Sequence, residues 1–199
     1  MVKGLTVGTC GTVLVLGLLV AGCTPEPGPT PSVTPVPSVS SPTPAPTPTE
    51  NAQERQQRLD FEAAEKAYLT AAQETDRLAI RGGALKATQS LTQNTMGTYL
   101  DFQMEGLRTL KDESWRTDRA GIVAVTARGG WSDRELAFTA CEDSSRVRLL
   151  DKDGKEVQKD RPRRFVQELT ATRAGGRWKI SDVKSTVVKT FDGQAGCSS

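Results

Sequence analysis

The stretch 164–183, RFVQELTATRAGGRWKISDV, decides how this chain folds. Its two halves, Arg164–Arg173 and Arg177–Val183, read as strands flanking Ala174-Gly175-Gly176, a hairpin signal because glycine enters the tight turns that join antiparallel strands. Working upstream, Arg146–Leu150 and Lys155–Val157 flank Asp151-Lys152-Asp153-Gly154, a second hairpin signal. Gly121–Thr126 and Arg134–Cys141 read as two further strands, with Gly129-Gly130 turning the chain between them. Before Trp115 the apolar period is helical. Phe61, Ala64, Tyr68, Ala71, Thr75 and Leu78 make one seam along Glu54–Arg81, and Gly82-Gly83 supplies the stop. A short helix is expected from Ala84 to about Leu91. A third is expected over Met96–Lys111, capped by Asn94 or Thr95, with Tyr99, Gln103, Leu107 and Leu110 inward. Helices first and an antiparallel meander afterwards is an α+β order.

The beginning of the chain is of another kind. Residues 1–22 carry one early charge, Lys3, then an apolar run from Gly4 to Gly22 that is marginal in length for a spanning helix and fits a secretory signal. Leu19-Val20-Ala21-Gly22-Cys23 resembles the lipobox of bacterial lipoproteins. That resemblance implies that the Cys23 thiol is acylated and that cleavage falls just before it; the alternative is an uncleaved signal anchor. Two or more acyl chains hold a protein on a membrane at about 0.8 kcal/mol per buried methylene, where one is marginal. Cys10 lies inside the apolar run and would leave with the signal.

Residues 23–51 follow as a tether. Ten of the chain's 11 prolines, all but Pro162, fall between Thr24 and Thr49. Proline fixes φ and donates no amide hydrogen, so extended polyproline II is expected, at about 3.1 Å per residue and roughly 80 Å at full reach. Its many Ser and Thr hydroxyls read either as sites for O-linked sugars or as an unmodified spacer. Residues 52–199 remain as one folded domain of ordinary size.

Composition removes several function classes. The chain of 199 residues holds 26 Lys+Arg, 24 Asp+Glu and no histidine. Setting aside Lys3, Glu26 and Glu50 leaves 25 against 22, a balance short of a nucleic-acid-binding signature. Without histidine there is no Ser-His or Cys-His nucleophilic site, no His-ligated metal, and no general base of the commonest kind.

The whole pattern resembles the NTF2-like, or cystatin-like, superfamily, in which a long amphipathic helix and shorter ones pack on a curved antiparallel sheet to make a cone. It is similar more closely to small actinobacterial lipoproteins built on that fold. The features that carry this are the lipobox, the Pro/Thr tether, a cysteine on a middle strand, the Asp151–Gly154 hairpin and Gly176-Arg177-Trp178-Lys179-Ile180. The likeness covers about residues 54–197 and brings no catalytic motif. In an exported domain the two remaining cysteines, Cys141 and Cys197, are expected to form one disulfide, worth roughly 4 kcal/mol by loop entropy.

Asp151-x-Asp153-Gly154 invites a calcium loop, but the twelfth position is Pro162 where an acidic ligand is needed, so a turn is expected and no metal or cofactor. Asp101 and Glu105 lie four apart on the third helix near Tyr99, and a solvated face is the expected reading. Arg146, Arg148, Arg163 and Arg164 can gather on adjacent strands as a patch for anionic headgroups or wall polymers; the alternative is a solvent face of mixed sign. Trp115, Trp131 and Trp178 are expected in the core or lining a pocket, with Trp131 the most exposed. The expected function is a non-enzymatic lipoprotein on the outer face of the cell membrane, binding an envelope protein or anionic polymer or supporting an envelope complex, and not nucleic acid. The alternatives are an NTF2-like enzyme using carboxylate and tyrosine chemistry, or a mobile-element exclusion or immunity lipoprotein. A dry, filled cone disfavours the enzyme; an open cone holding a buried carboxylate favours it.

Overall fold

Three helices precede seven strands in the computed structural model, which describes residues 50–189. The signal segment, Cys23, the tether up to Thr49 and Cys197 lie outside the described residues. Helix α1 spans Ala52–Ile80. It starts where Asn51 Oδ1 accepts from the Gln53 and Glu54 amides while Glu54 Oε2 accepts from the Asn51 amide, a reciprocal cap that satisfies donors a helix start leaves open. The expected seam is its buried face: Phe61, Ala64, Tyr68, Ala71 and Leu78 all turn inward. Gly82 and Gly83, both at positive φ, end it, and the Gly83 amide closes back on the Leu78 carbonyl at 2.9 Å.

The segment after this stop departs from expectation. Ala84–Thr88 is not helical; helix α2 is Gln89–Asn94, capped by the Thr88 hydroxyl, which accepts from the Leu91 amide. The cause is tertiary, because the Ala84 amide is already taken by the Leu107 carbonyl of the third helix at 3.1 Å. Helix α3 is Gly97–Asp112, and neither Asn94 nor Thr95 caps it. Thr95 instead closes α2, its hydroxyl donating to the Leu91 carbonyl, while Met96 stands at the α3 start with no side-chain cap. The Met96 amide donates to the Ile180 carbonyl at 2.8 Å, so this junction is held by the sheet and not by a local cap.

The strands are β1 (Arg116–Thr117), β2 (Ile122–Trp131), β3 (Glu135–Asp143), β4 (Leu149–Leu150), β5 (Glu156–Val157), β6 (Arg164–Ala174) and β7 (Arg177–Val187). They form two antiparallel sheets, the larger in the order β2-β3-β6-β7 and the smaller in the order β1-β4-β5. The single meander expected from sequence is therefore interrupted, with the Asp151–Gly154 hairpin leaving the main sheet to pair with β1. Gly129-Gly130 is not a turn. Both residues stay in β2 at a register shift between Arg128 and Trp131, and the chain reverses at Ser132, whose amide donates to the Glu135 carbonyl. Position 129 is crowded: a Cβ there would sit 3.0 Å from the Ala137 carbonyl oxygen of the neighbouring strand. Such bulges bend a sheet and increase its twist; others lie between Val125 and Ala127 in the same pairing and beside Ala171 in the β6–β7 pairing.

Register puts Leu136, Phe138 and Ala140 of β3 opposite Ala171, Leu169 and Gln167 of β6, all on the face covered by α1. The Tyr68 ring meets Phe138 edge-on at 5.8 Å and Tyr99 at 6.5 Å. A second apolar cluster of Ala71, Leu78, Leu91, Met104 and Leu107 joins the three helices. The result is α+β, with N-terminal helices packed on a bent antiparallel sheet. Among the described residues no helix is long and apolar enough to cross a membrane.

Candidate functional site

The inward face of β3 carries one residue that alternation alone should have made apolar. Leu136, Phe138 and Ala140 are buried, and Glu142 continues the same face. On α1, Ala72 and Asp76 follow Tyr68 at helical spacing and bring a second carboxylate to the same region. Between them lies a cavity of about 730 Å³, within the range of small-molecule sites. Its floor includes Tyr68, Tyr99 and Gln167; its helical wall includes Phe102, Gln103 and Leu110; and Trp115, Thr117 and Leu149, at the small sheet, line another side. The interrupted meander thus has a consequence: the displaced hairpin helps wall the cavity. The cone is open and contains partly buried carboxylates.

Glu142 accepts from Gln167 Nε2 at 3.1 Å, and Gln167 Oε1 accepts from the Tyr68 hydroxyl at 2.8 Å, a chain running from the core to the cavity. Burial raises the Glu142 carboxyl above its ordinary range and the charge of Asp76 raises it further, while Arg161 and the Gln167 hydrogen bond pull it back. Burial pushes Asp76 up to about 6, opposed by the Gly121 amide. Burial likewise lifts both tyrosine hydroxyls well above the usual phenol range. Arg161 approaches from the other side, its guanidinium lowered by burial and by Arg163, with Nη2 donating to the Val147 carbonyl at 3.1 Å. Among the described residues three buried side-chain atoms lack a hydrogen-bond partner: Thr75 Oγ1, Thr117 Oγ1 and Arg161 Nε. All three residues line this one cavity. Buried polar atoms are ordinarily satisfied, so their concentration here marks a place built for a polar guest.

The Asp76 shift has a measurable consequence. Its folded value of about 6 lies above the ordinary 3.8, so its contribution to stability is complete below pH 3.8 and is lost as pH rises through 6. Asp76→Asn, which keeps an acceptor for the Gly121 amide, is expected to melt higher than the parent protein at pH 7 to 8. The gap should shrink as pH falls from 6 towards 4. A gap independent of pH between 4 and 8 would show that Asp76 titrates normally.

The residues singled out from sequence are distributed differently. Arg148 pairs with Asp118 at 3.0 Å, Arg163 with Glu156 at 3.3 Å and Arg164 with Asp143 at 3.2 Å, while Arg146 is exposed. Three of the four are thus partnered within the domain by separate carboxylates. Asp101 and Glu105 are exposed on α3, with Glu105 at the cavity wall. Tyr99 is buried. The Asp151–Gly154 segment is a turn in which Asp151 Oδ1 accepts from the Asp153 and Lys155 amides, both at 2.9 Å. Cys141 is buried on the sheet face away from the cone, beside Ala124 and Val188.

Trp131 and Trp115 are both half-buried, and Trp178 is buried. The Trp131 indole Nε1 donates to Asp60 Oδ2 at 3.1 Å. Asp60 is itself buried and also accepts from Trp178 Nε1 at 2.9 Å, Gln56 Nε2 at 3.0 Å and the Arg173 guanidinium, which lies 4.8 Å over the Trp178 ring. This knot ties α1 to both edge strands of the main sheet, β2 and β7, and to the end of β6. It lies at the opposite end of α1 from Asp76, about 24 Å away along the helix at 1.5 Å per residue. Closure at one end and a cavity at the other is the organisation of the domain.

No protein-family model and no curated protein matches the chain. Among solved structures it is similar to the intermembrane-space region of the chloroplast protein ARC6, at 12% identity over 65% of this chain and 98% of that one, with a TM-score of 0.48. It is also similar to the Kfla4162 protein from Kribbella flavida, at 13% identity over 65% and 91% and a TM-score of 0.40. An NTF2-like protein of unknown function from Shewanella oneidensis gives 11% identity over 63% and 97%, with a TM-score of 0.36. Likenesses of this size concern the fold and bring no activity, ligand or partner with them.

Proposed function

We propose that this is an extracytoplasmic lipoprotein, anchored through Cys23, whose domain holds a small molecule in its cone. The observation that carries the binding reading is the cavity in which Thr75 Oγ1, Thr117 Oγ1 and Arg161 Nε are buried without partners. Leaving such groups unmet costs about 1–3 kcal/mol each, a cost that a guest or bound water would relieve. The export reading rests on Leu19–Cys23 and the proline-rich segment after it. The Cys141–Cys197 disulfide fits the same compartment: Val188, beside Cys141, is nine residues before Cys197 along the chain.

The binding reading is tested with N-phenyl-1-naphthylamine, a neutral aromatic fluorophore with one N–H group, titrated into the full chain. One equivalent is expected to bind. Gly106→Trp should weaken it at least tenfold, since Gly106 lines the cavity at a helical position where a Cβ meets nothing within 4 Å. No uptake, or equal uptake by the variant, would refute the reading. The anchor is tested by Cys23→Ala, which should abolish incorporation of labelled fatty acid; labelling that persists would refute lipidation. Alkylation without reductant should find no free thiol at Cys141 or Cys197, and labelling of both would refute the disulfide.

A second reading is favoured by one observation: Asp76, raised to about 6, has the affinity for protons of a general base working near neutral pH. Under that reading a bound molecule is converted and Asp76→Asn stops conversion while binding persists. Recovery of every bound molecule unchanged would leave the non-enzymatic module.

A further inference from the structure

The charge in the cavity is unbalanced. Its half-buried charged lining residues are Asp76, Glu142 and Arg161, two acids against one base, with Glu105 exposed at the wall. Arg161 acts on Glu142 and is tethered by Val147, whereas no cation figures among the influences on Asp76. Among the described residues no salt bridge reaches Asp76 or Glu142, whereas Asp60, Glu65, Glu74, Asp118, Asp143 and Glu156 each pair with an arginine. The two carboxylates also repel one another. A water-sized guest would answer the orphaned hydroxyls but leave that repulsion in place. An anionic guest would add to it. A protonated amine relieves it, and Thr75 Oγ1 and Thr117 Oγ1 are acceptors for its remaining N–H groups.

The rest of the lining decides what is attached to the amine. Phe102, Leu107, Leu110, Trp115, Phe165 and Val187 give the cavity an extended apolar surface, with an aromatic ring at several points. Aromatic faces attract cations as well as apolar bodies. Asp76 also lines a second groove with Ala72, Gly121 and Val123, bordered by the exposed side chains of Leu69, Ile80 and Ile122 and by Arg77, which pairs with Glu74.

Resting on the reading of the cavity as a ligand site, we propose that the cone selects an amphipathic organic cation, with its ammonium group at Asp76 and Glu142 and its apolar body along the α3 wall. Three soluble probes of one shape separate the possibilities: 3-phenylpropylammonium, 3-phenylpropan-1-ol and 3-phenylpropanoate, titrated calorimetrically into the full chain at pH 7.5. The ammonium is expected to bind at least tenfold more tightly than the alcohol, and the carboxylate not at all. Asp76→Asn should abolish that preference, and Glu142→Gln should reduce it. Equal binding of ammonium and alcohol, with N-phenyl-1-naphthylamine still taken up, would overturn the cation proposal and leave the cavity as a site for neutral molecules. Tightest binding of the carboxylate would overturn it in favour of an anion at Arg161. Failure of all three together with the fluorophore would overturn both the proposal and the ligand-site reading beneath it.

Discussion

Gly83→Ala is expected to cost the domain more stability than any other single methyl group added to it. Gly83 has φ +81°, and a Cβ there would lie 2.1 Å from the Leu107 carbonyl oxygen, 2.7 Å from the Lys111 amide nitrogen and 2.9 Å from Leu110 Cβ. Two of these atoms are α3 backbone, so no side-chain rotation relieves the clash. The left-handed conformation costs an alanine about 1–2 kcal/mol and overpacking adds about 1–3, which together make roughly 2–5 kcal/mol. Against a typical total of about 5–15 kcal/mol this is a large fraction. Because Leu107 and Leu110 line the cavity, the displacement of α3 should also weaken uptake of the fluorophore. Two glycines are controls. Gly82→Ala shares the positive φ, but its Cβ would meet only the Trp115 carbonyl oxygen at 3.5 Å, so the conformational cost alone is expected. Gly106→Ala, helical and unobstructed, should stabilise by about 0.5–1 kcal/mol. Urea denaturation of the three variants checks the order; a Gly83 variant no less stable than the Gly82 variant would contradict the close approach of α1 and α3.

Asp60→Ala is expected to be comparably damaging for a different reason. The carboxylate gathers two indole N–H groups, the Gln56 amide and the Arg173 guanidinium onto one buried side chain. Removing it strands the buried Trp178 and half-buried Trp131 indole N–H groups, at about 1–3 kcal/mol each, whereas Gln56 and Arg173 are exposed and can turn to water. Asp60→Asn keeps one acceptor oxygen but offers an N–H where a donor already points, so an intermediate loss is expected. Trp131→Phe removes a single donor and should cost about 1–2 kcal/mol, hydrogen bonds to charged groups being the stronger kind. The knot lies far from Asp76 along α1, so variants that remain folded should still bind the fluorophore. A midpoint in urea unchanged by Asp60→Ala would refute the knot.

Much of this domain was legible along the chain. The seam from Phe61 to Leu78 is buried as its period indicates, Gly82-Gly83 stops the helix, and both hairpins occur where their turn residues stand. In each case the cause is local: a few adjacent residues determine the periodicity, the cap or the sign of φ. Where reading failed, a distant group had intervened. Ala84 was withdrawn from a helix by the Leu107 carbonyl, and Gly129-Gly130 was kept in a strand between Arg128, which pairs with Glu65, and Trp131, which reaches Asp60. The cavity carboxylates left a fainter trace. Glu142 is the acid that breaks an apolar alternation over Leu136, Phe138 and Ala140, and Asp76 lies beside the α1 seam; either could have been flagged as polar on an inward face.

By itself the sequence determined the order of helices and strands, the glycine stops, and the distinction between an apolar, proline-rich beginning and a domain with a core. These follow from backbone stereochemistry and from hydrophobic period, which act between near neighbours. Only the tertiary structure decided that the Asp151–Gly154 hairpin leaves the main sheet, that Asp60 collects two tryptophans and an arginine, and that Asp76 and Glu142 share a cavity with three unpartnered polar groups. Each depends on groups far apart in the chain meeting where little water remains. Burial of that kind turns ordinary carboxylates into a structural knot at one end of α1 and a candidate binding site near the other.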